Sequence, residues 1–201
     1  LGIVGLEMER VEAVDDIAII DQLTAGHPLA IRFLPDDAGN SSRLALRVFN
    51  LGSPIPLSQR VPVLENMGFK VISERSFQIE PARGGESEQV HLHEMVLERA
   101  DADAVNLELL SGLLSDAFMA IMQGFAENDG YNGLVVRAGI AWRDVAMLRA
   151  VSRYLRQIRI PYSQDYMWES LLRNSAIAAN IVALFHARFQ IGSERDLQVG
   201  K

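Results

Sequence analysis

LALRVFNLGSPIPLSQRVPVLENMGFKVISERSFQIE, Leu44 through Glu80, changes its apolar period twice and so decides the fold. Leu44, Leu46 and Val48 alternate with Ala45, Arg47 and Phe49, the two-residue period of a half-buried strand. Asn50-Leu51-Gly52-Ser53-Pro54 breaks that strand. Pro56-Leu57-Ser58 then opens a helix, with Ser58 its expected N-cap and Val61, Leu64 and Met67 its apolar stripe. Pro62 falls in the first turn or so, where a proline costs little, and Gly68 suits the C′ position. Phe69, Val71, Phe77 and Ile79 share the odd-numbered face of a long second strand. Phe69, Val71 and Phe77 are expected to meet the helix from Ser58 and a later one from near Val105. Lys70, Glu74 and Gln78 would then turn away, because a one-residue slip would expose every apolar group.

Working outward, Pro81 to Ser87 (PARGGES) reads as a hairpin loop. Val90, Leu92 and Val96 mark a third strand, with Met95 and Leu97 on its other face. Upstream, residues 5–25 have helical spacing, with Val11, Val14, Ile17 or Ala18, and Ile20 as one face. Gly26-His27-Pro28 stops that helix, Leu29 to Leu34 is short and β-prone, and Pro35 to Ser42 is a turn by composition.

From Asp103 the period becomes about 3.6. Leu107, Leu110, Leu114, Phe118, Ile121 and Phe125 stripe a long helix that Asn128-Asp129-Gly130 ends. Asn132 is the expected cap of a short helix through Val135 and Val136 to Gly139. Further helices carry Val145 to Ile158, then Asp165 behind a Ser163 cap, then Ile177, Ile181, Phe185 and Phe189, before a polar tail from Gly192. The class is α+β: a ferredoxin-like antiparallel sheet with helices, followed by an all-helical segment. The expected division is 1–42, an N-terminal helix and short strand; 43–130, the α+β module; and 131–201, the helical segment. A ferredoxin-like sheet has four strands, and only three follow Arg43. Leu29–Leu34 or a partner chain must fill the remaining edge.

Composition narrows the function. With 201 residues the chain can bury a core without a metal or disulfide. It has no Cys, which excludes thiolate chemistry and fits a reducing compartment such as the cytoplasm. A formal charge of −7 argues against general nucleic-acid binding, and the apolar runs are too short to span a membrane. The opening Leu1-Gly2-Ile3 has no Met and no basic region, so it reads as an internal fragment rather than a signal peptide.

Few residues point to chemistry. His91 and His93 share a strand face at a spacing that suits zinc, yet no third ligand is nominated; sheet-facing histidines are the commoner case. There is no G-x-S-x-G elbow, which leaves a hydrolase without a nucleophile turn. Glu86, Glu88, Glu94, Glu98, Asp101, Asp103 and Glu108 read as a solvated acidic face rather than a catalytic carboxylate pair. Arg149, Arg153 and Arg156 share a helix face opposite Val151 and Leu155, either a docking face for an acidic surface or a solvated one. Arg137, Arg143, Arg159 and Arg173 lie nearby in sequence. Asn50, Leu51, Gly52 and Ser53 form the turn between the first strand of the module and its helix. It is either a plain connection or a place where a carboxylate could approach a helix N-terminus.

The wording of three segments adds a resemblance. Pro62-Val63-Leu64-Glu65-Asn66-Met67-Gly68-Phe69-Lys70-Val71-Ile72-Ser73-Glu74-Arg75 resembles a stretch of the large bacterial NAD-specific glutamate dehydrogenases. Asn132-Gly133-Leu134-Val135-Val136-Arg137-Ala138-Gly139 through Asp144-Val145, continued from Arg149 to Tyr166, is similar to a second stretch. Leu184-Phe185-His186-Ala187-Arg188-Phe189 is similar to a third. The three run in the family's order over most of residues 43–190; the first 40 residues match poorly. Two helix-start residues depart from the family: it often has a serine near Ala141 and a proline near Ser175.

The resemblance implies an ACT-like module, the small amino-acid-sensing ferredoxin-like domain of metabolic enzymes, upstream of a catalytic core. It implies a parent that oxidises L-glutamate to 2-oxoglutarate and ammonia while reducing NAD. The partners implied are the rest of that chain, its homo-oligomer and an amino-acid effector at Asn50–Ser53. Neither a membrane nor nucleic acid is implied. No G-x-G-x-x-G follows a strand here, so no cofactor-binding, catalytic or metal-ligating residue carries over, and the fragment alone is expected to be inactive.

Overall fold

A computed structural model describes residues 3–36, 38–80 and 89–189, with side chains from residue 13 onward. The expected loop at 81–87 and the polar tail from Gly192 lie outside the described residues, as does the side chain of Val11. The chain divides into two compact units, Leu1–Val61 with Lys70–Val105, and Pro62–Phe69 with Asn106–Lys201.

The first unit is built on one sheet. Helix α1 (Ile3–Gln22) leads into β1 (Leu29–Pro35) and β2 (Arg43–Leu51). The opening turn of α2 (Leu57–Asn66), then β3 (Phe69–Ile79) and β4 (Val90–Arg99), complete it. The strand order is β1-β2-β4-β3. β2 pairs antiparallel with both neighbours; Leu46 faces Phe33 on one side and Met95 on the other. The β2–α2–β3–β4 run is a ferredoxin-like core with the place beside β2 vacant, and β1 takes it. Leu29–Pro35 therefore closes the edge from upstream, and no partner chain is needed for the fourth strand.

Both faces of this sheet are occupied, which changes two expectations. One face carries Leu44, Leu46, Val48, Met95 and Leu97, all fully buried. On the other, Ile20 of α1 and Leu23 just beyond its end pack with Phe49 and Val90, joined by Ile79 of β3. Glu74 bonds Arg60 of α2 while Arg75 bonds Glu94 on the opposite face. From Arg75 to Ile79 the odd-numbered side of β3 thus turns toward α1, not toward α2. Periodicity groups residues on a face but does not say which helix covers it. Phe69 is buried, whereas Phe77 is 46% exposed, because β3 is an outer strand. On α1 the inward residues are Asp16, Ile19, Ile20 and Leu23, and Val14 and Ile17 are exposed. The face follows the i, i+3, i+4, i+7 rule, but it includes an acid. Helix α2 starts at Leu57, with the Pro56 carbonyl accepting from Gln59 and Arg60, so Ser58 lies inside the first turn rather than capping it.

The second unit is helical. α3 (Leu107–Met122) is capped by Asn106, whose side chain accepts from the Leu109 amide. It ends before Phe125, which is exposed. A 3-10 turn, Gly130–Gly133, follows, then α4 (Leu134–Ala138), α5 (Trp142–Gln157), α6 (Gln164–Arg173) and α7 (Ser175–Phe189). The short α4 is the hub: Leu134, Val135 and Val136 are buried, and α3, α5, α6 and α7 all touch it. Asn132 does not cap α4, which starts behind Gly133 with no side-chain cap; Asp129 caps the preceding 3-10 turn, accepting from the Tyr131 amide at 3.1 Å. Ser163 caps α6 as the spacing predicts, accepting from the Tyr166 amide at 3.1 Å, with Asp165 in the first turn.

Candidate functional site

The turn after β2 is held by its own unit. Gly52 has φ 91°, a conformation that favours glycine, but an added Cβ would meet nothing within 4 Å. Glycine is needed there for the backbone, not for space. The Gly52 amide donates to the Gln89 carbonyl at 2.8 Å, and the Gly52 carbonyl lies 3.0 Å from His91 Nε2. Asn50 Nδ2 donates to the Ser53 carbonyl at 2.6 Å, and the Leu51 amide to Pro28 at 2.8 Å. The four expected effector residues are therefore brought together as a closed hydrogen-bonded strap, with α2 starting four residues beyond Ser53.

Two charged clusters sit against the sheet. Under α1, Arg32 donates to Asp15 at 2.6 Å, and Arg47 donates to Asp16 at 2.8 Å and Glu94 at 3.2 Å. Arg75 closes the row onto Glu94. Burial raises the Asp16 carboxyl pKa above its ordinary value, and Arg47 and Arg32 oppose that shift. Nearby, Glu98 pairs with Arg43 at 2.7 Å, and Asp101 and Asp103 pair with Arg99 at 2.8 and 3.4 Å. The carboxylates at 94, 98 and 101 are thus part-buried and paired rather than solvated, whereas Asp103 and Glu108 are exposed as a solvated face would have them; Glu86 and Glu88 lie outside the described residues.

On the opposite face Arg60, 2% exposed, donates to Glu74 at 2.9 Å and lies 3.7 Å from Met95 Sδ. His93 Nδ1 lies 2.8 Å from Ser76 Oγ and 3.2 Å from Glu74 Oε1. Burial lowers the His93 pKa, the Arg60 cation adds to the effect, and Glu74 works against it. Sequence reasoning missed this cluster. Arg60, Leu64 and Met67 stand at i, i+4 and i+7, so the spacing held the signal, although charged residues are seldom fully buried. His91 and His93 share a face yet serve separate structural bonds. Among the described residues no three His, Cys, Asp or Glu are grouped to hold a metal ion.

In the helical unit Arg149 is 4% exposed. Its Nε and Nη2 donate to the two oxygens of Asp129 at 2.7 and 2.8 Å, and Nη2 also reaches Asn132 Oδ1 at 2.9 Å. Asn132 in turn donates to the Glu127 carbonyl at 2.9 Å. Arg149 is thus an internal clamp and is not available on an exposed docking face. Arg153 lies at the surface and pairs with Glu127, whose pKa that bond lowers. Arg156 is exposed. Beside these, α5, α6 and α7 border an open apolar groove of about 330 Å³. Val151, Leu155, Ile160, Tyr162, Tyr166 and Ile181 line it, with Tyr162 and Tyr166 stacked at 4.7 Å between centroids.

A family model described as "Glutamate dehydrogenase, ACT3 domain" matches residues 28–110, and one described as "Glutamate dehydrogenase, helical motif 3" matches residues 126–191. The chain belongs to the glutamate dehydrogenase family these two models describe. It is 38% identical over 177 residues to an NAD-specific glutamate dehydrogenase of Halomonas elongata, covering 88% of this chain and 11% of that protein. A Pseudomonas aeruginosa relative of the same description is 35% identical over 179 residues, and one from Mycobacterium tuberculosis 33% over 188. Each of these covers 89% of this chain and 11% of the relative. The chain therefore spans about a ninth of the length of the curated relatives it matches. Among the described residues no helix is long and apolar enough to cross a membrane.

Proposed function

We propose that this chain is a non-catalytic regulatory and assembly segment of a large, cytoplasmic, homo-oligomeric NAD-dependent glutamate dehydrogenase. The whole enzyme converts L-glutamate, NAD and water to 2-oxoglutarate, ammonia and NADH, and the oxidoreductase chemistry and the NAD site belong to its other parts. The observation that carries this reading is the succession of two glutamate dehydrogenase modules, ACT3 and helical motif 3, within a ninth of the relatives' length. The closed strap at Asn50–Ser53 supports assembly over sensing, because both backbone groups of Gly52 are already bonded inside the unit.

A second reading is an amino-acid-sensing module at the same turn. The left-handed Gly52 ahead of a helix start favours it. A free-standing interaction module is the third, and the 33–38% identity to dehydrogenases speaks against it. The purified chain is expected to form NADH from glutamate no faster than a blank. Calorimetric titration with common amino acids at millimolar concentration is expected to give no heat. Heat abolished by Gly52→Val would replace the assembly reading with the sensing one.

A further inference from the structure

We infer that the groove bordered by α5, α6 and α7 seats one amphipathic helix from elsewhere in the parent polypeptide, its apolar face inward and its flank acidic. The inference rests on the reading above and names the surface that reading requires. The groove walls are apolar. Val151 and Leu155 stand four apart on α5, Ile160, Tyr162, Tyr166 and Ile181 continue the wall, and no charged group is among the lining residues. All six are exposed to a third or more of their surface, so the groove is open along its length. Apolar rows at this spacing, set between helices, match the i, i+3, i+4, i+7 anchors of a docked helix. A contiguous apolar surface of this kind marks an interaction site.

Charge selects the occupant. Arg156 stands one helical turn beyond Ser152, a lining residue, and so flanks the groove rather than lying opposite it, and Arg159 directly precedes Ile160 of the lining. Both are exposed, and neither makes an ion pair among the described residues. The chain as a whole carries −7, so this cationic rim runs against its overall charge. Arg159 also adopts φ 68°, a left-handed conformation that glycine would hold without strain, at the end of α5. What a side chain supplies there is its charge. A second copy docking groove to groove across a two-fold axis would set these arginines against their own kind. An acidic-flanked helix satisfies both the apolar walls and the rim. Nearly nine-tenths of the length of the relatives lies outside the matched region, which provides the source.

The test uses the full-length parent enzyme carrying the photo-crosslinker p-benzoylphenylalanine at Tyr162. Mass spectrometry is expected to place the crosslink in a segment outside residues 1–201 with helical apolar spacing and Asp or Glu on its flank. Val151→Glu and Arg156→Glu, both at exposed positions, should each cut the yield at least tenfold while the circular dichroism spectrum stays unchanged. Crosslinks to residues 1–201 of a second, isotopically labelled copy would overturn the inference, as would an apolar small molecule in place of a peptide. So would a yield unaffected by both variants. Deleting residues 1–201 separates the two levels. If the oligomer and its activity survive deletion, the assembly reading fails by itself. If they do not, and the crosslink maps elsewhere, only the groove is wrong.

Discussion

The sheet unit holds charged side chains against its buried faces, while the helical unit leaves apolar ones in solvent. Around the sheet, Asp16, Arg47, Glu94, Arg60, Glu74 and His93 lie between strands and helices, each with a charged partner. Around the helices, Arg149 is the charge taken inside among the described residues, held by both oxygens of Asp129, and Val151, Tyr162 and Ile181 face outward. A sheet with helices on both faces has little bare surface to offer, so its polar groups serve to fix register and helix position. A small bundle around a five-residue helix has outer faces left over, and those are where a larger chain can attach.

This contrast can be broken most sharply at Arg149. Arg149→Ala strands Asp129 without its partner, and removing one member of a buried ion pair costs about 3–5 kcal/mol. Urea denaturation followed by the fluorescence of Trp142 and Trp168, both in this unit, should show a helical unit that melts far earlier; a loss below about 1 kcal/mol would mean the clamp is not structural. Next comes Gly130, where an added Cβ would lie 2.6 Å from Trp168 Nε1. Gly130→Ala is expected to cost about 1–3 kcal/mol by overpacking. An unshifted midpoint would show that Trp168 yields freely.

The sheet unit should respond to pH instead. The folded His93 pKa lies below its ordinary 6.5, so the unfolded chain binds the extra proton more readily. Stability is therefore full above pH 6.5 and falls as pH drops below it toward the lowered folded value. His93→Gln should flatten that part of the stability curve; an equally steep decline in the variant would assign it to another group. The smallest effect is expected at the surface pair of Arg153 and Glu127. Arg153→Ala should leave the melting temperature within experimental scatter, and added salt should erase any remaining difference.

The sequence misreadings share a cause. Asp16 and Arg60 occupy helical positions whose neighbours are buried, and spacing alone does not tell whether a charge at such a position faces inward. Their partners, Arg47 on β2 and Glu74 on β3, are 31 and 14 residues away, and no local pattern announces them. Arg149 was grouped with Arg153 and Arg156 by spacing alone, while Asp129, 20 residues earlier, draws it inward. Asn132 looked like a cap because it is an Asn before a helix, but Asp129 takes the cap and Asn132 braces the Glu127 carbonyl.

By itself the sequence determined the strands, the helices, their order, the Ser163 cap and the family. These rest on local periodicity, on turn chemistry and on word-like segments such as Pro62–Arg75, all readable within a window of a few residues. Tertiary structure alone decided three things. β1 rather than a partner chain completes the sheet; Arg75 and Ile79 at the end of β3 turn to the α1 side; and Arg60 and Arg149 lie inside. Each depends on which distant element supplies the facing surface or the opposite charge. A repeat of two or 3.6 residues tells which side chains travel together, but only packing tells what they meet.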